Sequence, residues 1–135
     1  MTDNLDGLDL KQTFGLVIMT GTEKLLEFPE RKEPLGYEWL DRDGVGYELD
    51  EVYFKKHEVT LSCAIMANDD VQFWQYYNAF LNKWKESWTR MLYIADHGKV
   101  YKVFYRKSGN WKKSLKRLKN VPVVFVKFDL TIEVV

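Results

Sequence analysis

Cysteine is almost absent from this chain of 135 residues. Cys63 is the only one, so no intramolecular disulfide can staple the fold and no metal site can rest mainly on thiolates. Proline occurs three times and histidine twice. Long hydrophobic runs are missing: the longest apolar stretches, residues 15–19 and 121–126, fall far short of the roughly 20 residues that cross a bilayer. Residues 1–6 are acidic, whereas a secretory signal starts basic and continues apolar. Neither sign of charge prevails overall, since 20 Lys+Arg face 20 Asp+Glu. What is present is a globular composition, 46% hydrophobic and 30% charged, in a length that suits one domain with its own core. The expectation is a soluble protein folded in a reducing compartment.

Neutrality overall conceals an asymmetry. Residues 1–54 hold 13 acids against 5 cations, and residues 55–135 hold 15 cations against 7 acids. The stretch 99–119 carries nine cations and no acid. Either the acidic half lies against the basic half, within one molecule or between identical subunits, or the basic stretch holds an outside polyanion.

Residues 1–12 are polar and acidic without an apolar period, and read as a flexible N-terminal arm ahead of a single domain over 13–135. The run Phe14 to Thr20 is β-favouring and closes at Gly21; residues 25–28 then return as a second strand. From about 29 to 54 the pattern dissolves into a long extended loop punctuated by Pro29, Pro34, Gly36, Gly44 and Gly46. Its Tyr37, Trp39, Leu40, Val45, Tyr47 and Leu49 are too many large apolar groups for a solvated linker. Residues 57–66 alternate, with Val59, Leu61, Cys63 and Ile65 on one face. Asp69 supplies an N-cap with Gln72 as its capping-box partner, opening one long helix over about 69–87 whose stripe is Phe73, Tyr77, Phe80, Leu81 and Trp84. Residues 90–95 and 99–106 form a hairpin around Asp96-His97-Gly98. A turn at Ser108-Gly109-Asn110 leads to a strand over 111–118, and strict alternation marks a last strand over 124–134. The order predicts an α+β fold: an antiparallel β-sandwich or open barrel with one flanking helix.

Sites of chemistry are hard to find. No phosphate-binding glycine pattern occurs, and Gly44-Val45-Gly46 is not followed by a helical pattern. His57 and His97 stand 40 residues apart and read as strand-end or turn residues. Cys63, in mid-strand, reads as a small buried hydrophobe. Asp41 and Asp43 begin a calcium-loop-like pattern that fails two positions later, at Val45, and so read as turn residues. No cofactor, metal or catalytic residue is expected. The stretch 99–119 interleaves Tyr101, Phe104, Tyr105 and Trp111 with its cations, as a nucleic-acid-binding module would. Ordinary strand patterning and lysine protection of sheet edges explain the same residues, which makes that reading the alternative.

Several strings carry a family resemblance: Phe14-Gly15-Leu16 followed by Thr20-Gly21, the loop from Tyr37 to Gly44, and Val52-Tyr53-Phe54-Lys55. The strand Val59 to Cys63, the aromatic helix around Phe73-Trp74-Tyr77-Phe80, and Leu92-Tyr93-Ile94 before a hairpin continue it. Over most of residues 10–135 the chain resembles the ring-forming N-terminal domain of siphovirus distal tail proteins, structural components of phage and prophage tails with a tail-tube-like fold. The resemblance implies a β-sandwich with one flanking helix and a long loop reaching a neighbour, assembled head to tail as a ring, commonly of six. It implies no enzyme and no cofactor. The partners implied are the chain itself and other tail proteins, in the virion tail after synthesis in the bacterial cytoplasm. Larger relatives add a carbohydrate-module-like domain that this chain is too short to include. The candidate interface residues are Tyr37, Trp39, Asp41, Asp43, Tyr47, Asp50 and Glu51 on the acidic loop, with Lys112, Lys113, Lys116 and Arg117 as their basic counterparts.

Overall fold

The computed structural model describes residues 2–34, 36–38, 45–47, 49–113 and 124–135. In chain order the elements are β1 (Asn4–Leu5), β2 (Leu8–Asp9), α1 (Leu10–Phe14), β3 (Leu16–Thr20), a 3-10 turn (Thr22–Leu26), β4 (Gly36–Glu38) and β5 (Val45–Tyr47). Then come β6 (His57–Ala67), α2 (Asp70–Lys85), β7 (Arg90–Ile94), β8 (Lys99–Lys113) and β9 (Val124–Val134). Seven strands form one antiparallel sheet in the order β2-β1-β7-β8-β9-β6-β3, which does not close, while β4 and β5 pair separately. The fold is α+β as expected, with the sheet in the open form rather than as two packed layers.

The centre of the sheet follows from period-two patterning. β6 and β9 pair along their whole length, and Cys63 stands opposite Phe128, Leu61 opposite Leu130 and Val59 opposite Ile132. These six are buried on one face, against α1 and α2. Asp69 Oδ1 accepts from Gln72 N at 2.7 Å, and Gln72 Oε1 accepts from Asn68 N at 2.7 Å, so the cap predicted for α2 forms with its second bond one residue upstream. Within the predicted stripe, Phe73 and Phe80 are buried, whereas Tyr77, Leu81 and Trp84 are half-buried. Phe80 sits edge-on to Phe14, ring centres 5.4 Å apart, and to Phe128 at 6.3 Å. Aromatic edges of this kind add to simple area burial, itself worth about 2–3 kcal/mol for such a ring.

Three local expectations are corrected. Residues 1–12 do not stand off as an arm: Leu5 is fully buried, Asn4 and Leu5 pair with Tyr93 and Leu92, and Leu10 joins the core. The acids that made this segment look solvated are spent on backbone donors, Asp3 Oδ1 on Ala95 N and Asp6 Oδ1 on Met91 N, each at 2.7 Å. Residues 25–28 are not a strand. Gly21 at φ 104° turns the chain into a 3-10 turn that buries Leu25 and exposes Leu26. No turn occurs at Ser108-Gly109-Asn110 either: β8 runs through to Lys113, absorbing Asn110 at φ 55° as a register shift between Gly109 and Lys112. Continued pairing with β9 holds it, helped by Asn110 Nδ2 donating to Asp129 Oδ2 at 2.6 Å and by Trp111 lying flat on Phe128 at 4.1 Å. A turn signal and a bulge signal use the same residues, Gly and Asn, because both need positive φ.

Candidate assembly surface

The long segment from about 29 to 54 leaves the main sheet at a closed root. Arg31 and Phe54 form an isolated bridge, Lys32 N donates to Tyr53 O at 2.8 Å, and Lys55 N donates to Glu30 O at 2.7 Å. Beyond the root the chain is not simply extended. β4 and β5 face each other with Tyr37 opposite Gly46 and Gly36 opposite Tyr47, so the excursion carries its own hairpin pairing. Among the described residues, none of the buried core comes from between Leu25 and Val59.

The candidate interface residues fall into four groups. Tyr37 and Tyr47 lie in β4 and β5. Asp50 and Glu51 are exposed where the segment returns, and Glu51 accepts from the Tyr53 hydroxyl, which pushes the phenol up from its ordinary range. Trp39, Asp41, Asp43, Lys116 and Arg117 lie outside the described residues. Lys112 and Lys113 end β8 as exposed residues; Lys112 stands opposite Lys127, and Lys113 Nζ reaches Asp70 at 3.0 Å. Part of the basic stretch is therefore balanced within the chain, as it is at Arg106, whose Nε lies 3.4 Å from Glu58 and 3.9 Å from Glu133. A hydrogen bond from Lys56, with the charges of Lys56, Arg106 and Lys107, holds the Glu58 carboxyl below its usual range against the opposing effect of desolvation.

Sequence reasoning missed the most exposed apolar group of the region. Phe28 is 95% exposed and Leu26 61%, beside Phe54 and Val135, which are also exposed. The signal available was an apolar pair running into Pro29 without the alternation of a real strand. These side chains wall a groove of about 550 Å³ at the root of the excursion, whose rim carries Lys55, Lys56, His57 and Lys99.

Cys63, His57 and His97 are each engaged within the fold. Cys63 is fully buried, and burial pushes its thiol up to about 12, with Asp129 adding to the effect, so no thiolate forms near neutrality. His57 Nε2 lies 3.1 Å from Lys24 O, and His97 Nδ1 lies 2.9 Å from the Tyr101 hydroxyl. Among the described residues no cluster of His, Cys, Asp and Glu could hold a metal ion, and no helix is long and apolar enough to cross a membrane.

The open antiparallel sheet with one main covering helix is a fold that solved structures share. Among solved structures the chain is similar to the Dit protein (gp 19.1) of SPP1, described as a paradigm of the hub adsorption apparatus in phages infecting Gram-positive bacteria. That likeness has a TM-score of 0.61 at 10% sequence identity and covers 96% of this chain but 48% of the other, so this chain spans about half the length of its neighbour. No protein-family model matches the sequence, and no curated protein does.

Proposed function

We propose that this chain is a non-enzymatic structural component of a phage or prophage tail, forming a ring by head-to-tail self-association where tail tube meets tail tip. The observation that carries the reading is the fold likeness to the SPP1 Dit protein over nearly the whole of this chain. A second observation supports self-association. Among its described residues the excursion adds none to the buried core, and its sequence carries Tyr37, Trp39 and Tyr47, residue types that dominate interface hot spots. Contacts between unlike surfaces of identical chains close into rings when the rotation per subunit divides the circle. The reading places the chain in the virion tail, with itself and other tail proteins as partners, after synthesis in the bacterial host.

Sedimentation velocity of the purified chain across a micromolar concentration range, with electron microscopy of the same samples, tests the reading. The expected result is a discrete species of several subunits that appears as a closed ring. A chain that stays monomeric at every concentration and in the presence of phage tail tubes overturns it.

A further inference from the structure

A cavity of about 90 Å³ lies between α2 and the sheet and shares no residue with the groove at the root of the excursion. Six aromatic side chains wall it: Tyr77, Phe80 and Trp84 from the helix, Tyr105 and Trp111 from β8, and Phe128 from β9. Phe80 and Phe128 are buried, while Trp111 is 40% exposed, so among the described residues the β8 side is the one that meets solvent. The wall on that side is irregular. β8 shifts register against β9 between Tyr105 and Lys107 and again between Gly109 and Lys112, with Asn110 at φ 55° inside the second shift. Bulges of this kind re-aim side chains. Here Trp111 lies flat on Phe128 at 4.1 Å and edge-on to Tyr77 at 5.5 Å, its indole N–H donating to Ser108 Oγ at 3.0 Å. A non-glycine residue at positive φ carries strain, and at Asn110 that strain shapes the wall of a cavity.

Trp84 supplies an independent feature. Its Nε1–H is buried and has no hydrogen-bond partner among the described residues. An unmatched buried donor is costly. Trp84 borders two voids, this cavity and a smaller one of about 10 Å³ walled by apolar side chains such as Leu5, Leu10 and Leu92. The smaller void offers the indole no acceptor, so an acceptor has to come from what enters the larger one.

The lining narrows the chemistry of that occupant. Small-molecule sites are concave and mostly apolar, with a few placed polar groups. No charged side chain of the described residues lines the cavity, so an ion would be desolvated there without a counter-charge. A sugar would leave most of its hydroxyls unpaired among aromatic rings. A cavity of about 150 Å³ lined by Leu, Ile and Phe takes up benzene or xenon. A cavity of about 90 Å³ with one side toward solvent therefore suits a single small ring.

We infer that the cavity between α2 and β8 binds a small neutral ring, aromatic or alicyclic, carrying one hydrogen-bond acceptor that meets the Trp84 Nε1–H. Such a ligand touches α2 and the β8 bulge at once and ties helix to sheet. The site is independent of self-association.

Proton–nitrogen NMR of the isotope-labelled full-length chain tests it, with cyclohexanone as a ring bearing an acceptor and benzene as one without. The chain has five tryptophans, and the indole signal missing from Trp84→Phe identifies Trp84. Cyclohexanone is expected to shift the Trp84 and Trp111 indole signals saturably and to leave that of the exposed Trp88 in place. In Trp84→Phe its affinity relative to benzene is expected to fall about fivefold, the loss of one hydrogen bond. Leu81→Trp enlarges a half-buried wall residue and is expected to abolish binding of both rings in a chain whose spectrum stays folded. Absence of any saturable shift up to the solubility of the two rings overturns the site. So do shifts at Trp88 as large as at Trp84, or binding that survives Leu81→Trp, since either marks an adventitious surface contact. Equal weakening of both rings in Trp84→Phe overturns the acceptor and with it the class of ligand.

Discussion

The Asp6 carboxylate lies 2.9 Å from the Arg90 guanidinium and 3.2 Å from the Lys83 ammonium, tying the N-terminal segment to α2 and to the first residue of β7. Its other oxygen accepts the Met91 N–H at 2.7 Å. Burial pushes this carboxyl up, but the Met91 bond and the two cations outweigh it and hold it below its ordinary range. A carboxyl lowered in the folded state contributes stability above its unfolded pKa, and that contribution disappears as pH falls through the folded value. Asp6→Asn should therefore cost about 1–3 kcal/mol at neutral pH, where it leaves charged donors poorly matched. The Tm gap between wild type and variant should close on acidification below the usual carboxylate range. A gap independent of pH would mean that Asp6 acts by shape alone.

Phe80 tests the core that α2 supplies. It is buried among Phe14, Trp84 and Phe128, all in edge contact with its ring. Phe80→Ala should cost about 3–5 kcal/mol through the cavity it leaves. Trp74→Ala, on the exposed side of the same helix, should cost under about 1 kcal/mol, and urea titration of both variants checks the difference.

Gly21 and Gly98 both adopt positive φ, 104° and 59°, but differ in their surroundings. A Cβ at Gly21 would lie 2.6 Å from Thr60 O and 3.2 Å from Leu61 Cα, both backbone atoms of β6, whereas one at Gly98 would meet nothing within 4 Å. Gly98→Ala should cost only the left-handed strain of about 1–2 kcal/mol. Gly21→Ala should cost more, because β6 must also shift. Comparable thermal shifts for the two variants would show that the 3-10 turn yields instead of the strand.

Trp88 carries the opposite situation: a large residue at φ 70° whose side chain is 91% exposed. The strain is offset by no burial in the chain, so Trp88→Gly should raise the stability of the monomer by about 1 kcal/mol. An unfolding midpoint that falls instead would show the indole to be packed in solution.

What could be read from the sequence follows from where one periodicity dominates. β6, β9 and α2 were legible because their apolar residues repeat without interruption over several turns or pleats, and Asp69 and Gln72 mark the helix start unambiguously. The N-terminal segment was not, because Leu5 and Leu10 are isolated among acids whose partners are backbone donors nearly ninety residues away, as at Asp6 and Met91. The β8 bulge was not, because Gly109 and Asn110 serve a turn equally well. The excursion was legible as a segment with too much aromatic surface for a linker. The groove was not, because it joins Phe28, Phe54, Lys99 and Val135 from four separate stretches of chain, and no local pattern encodes that meeting.

Deletion of residues 36–48 separates the excursion's role in assembly from any role in folding. The cut removes β4 and β5, which pair only with each other, and leaves the Arg31–Phe54 bridge and the Lys32–Tyr53 and Glu30–Lys55 backbone bonds in place. Among the described residues, every member of the buried core lies outside the deleted stretch. Shortening a surface loop lowers its closure entropy slightly, an effect below about 1 kcal/mol. The shortened chain should therefore melt within a few degrees of the wild type by calorimetry, yet sediment as a monomer at concentrations where the wild type associates. A shortened chain that unfolds would place the excursion in the core. One that still assembles would move the contact to another surface.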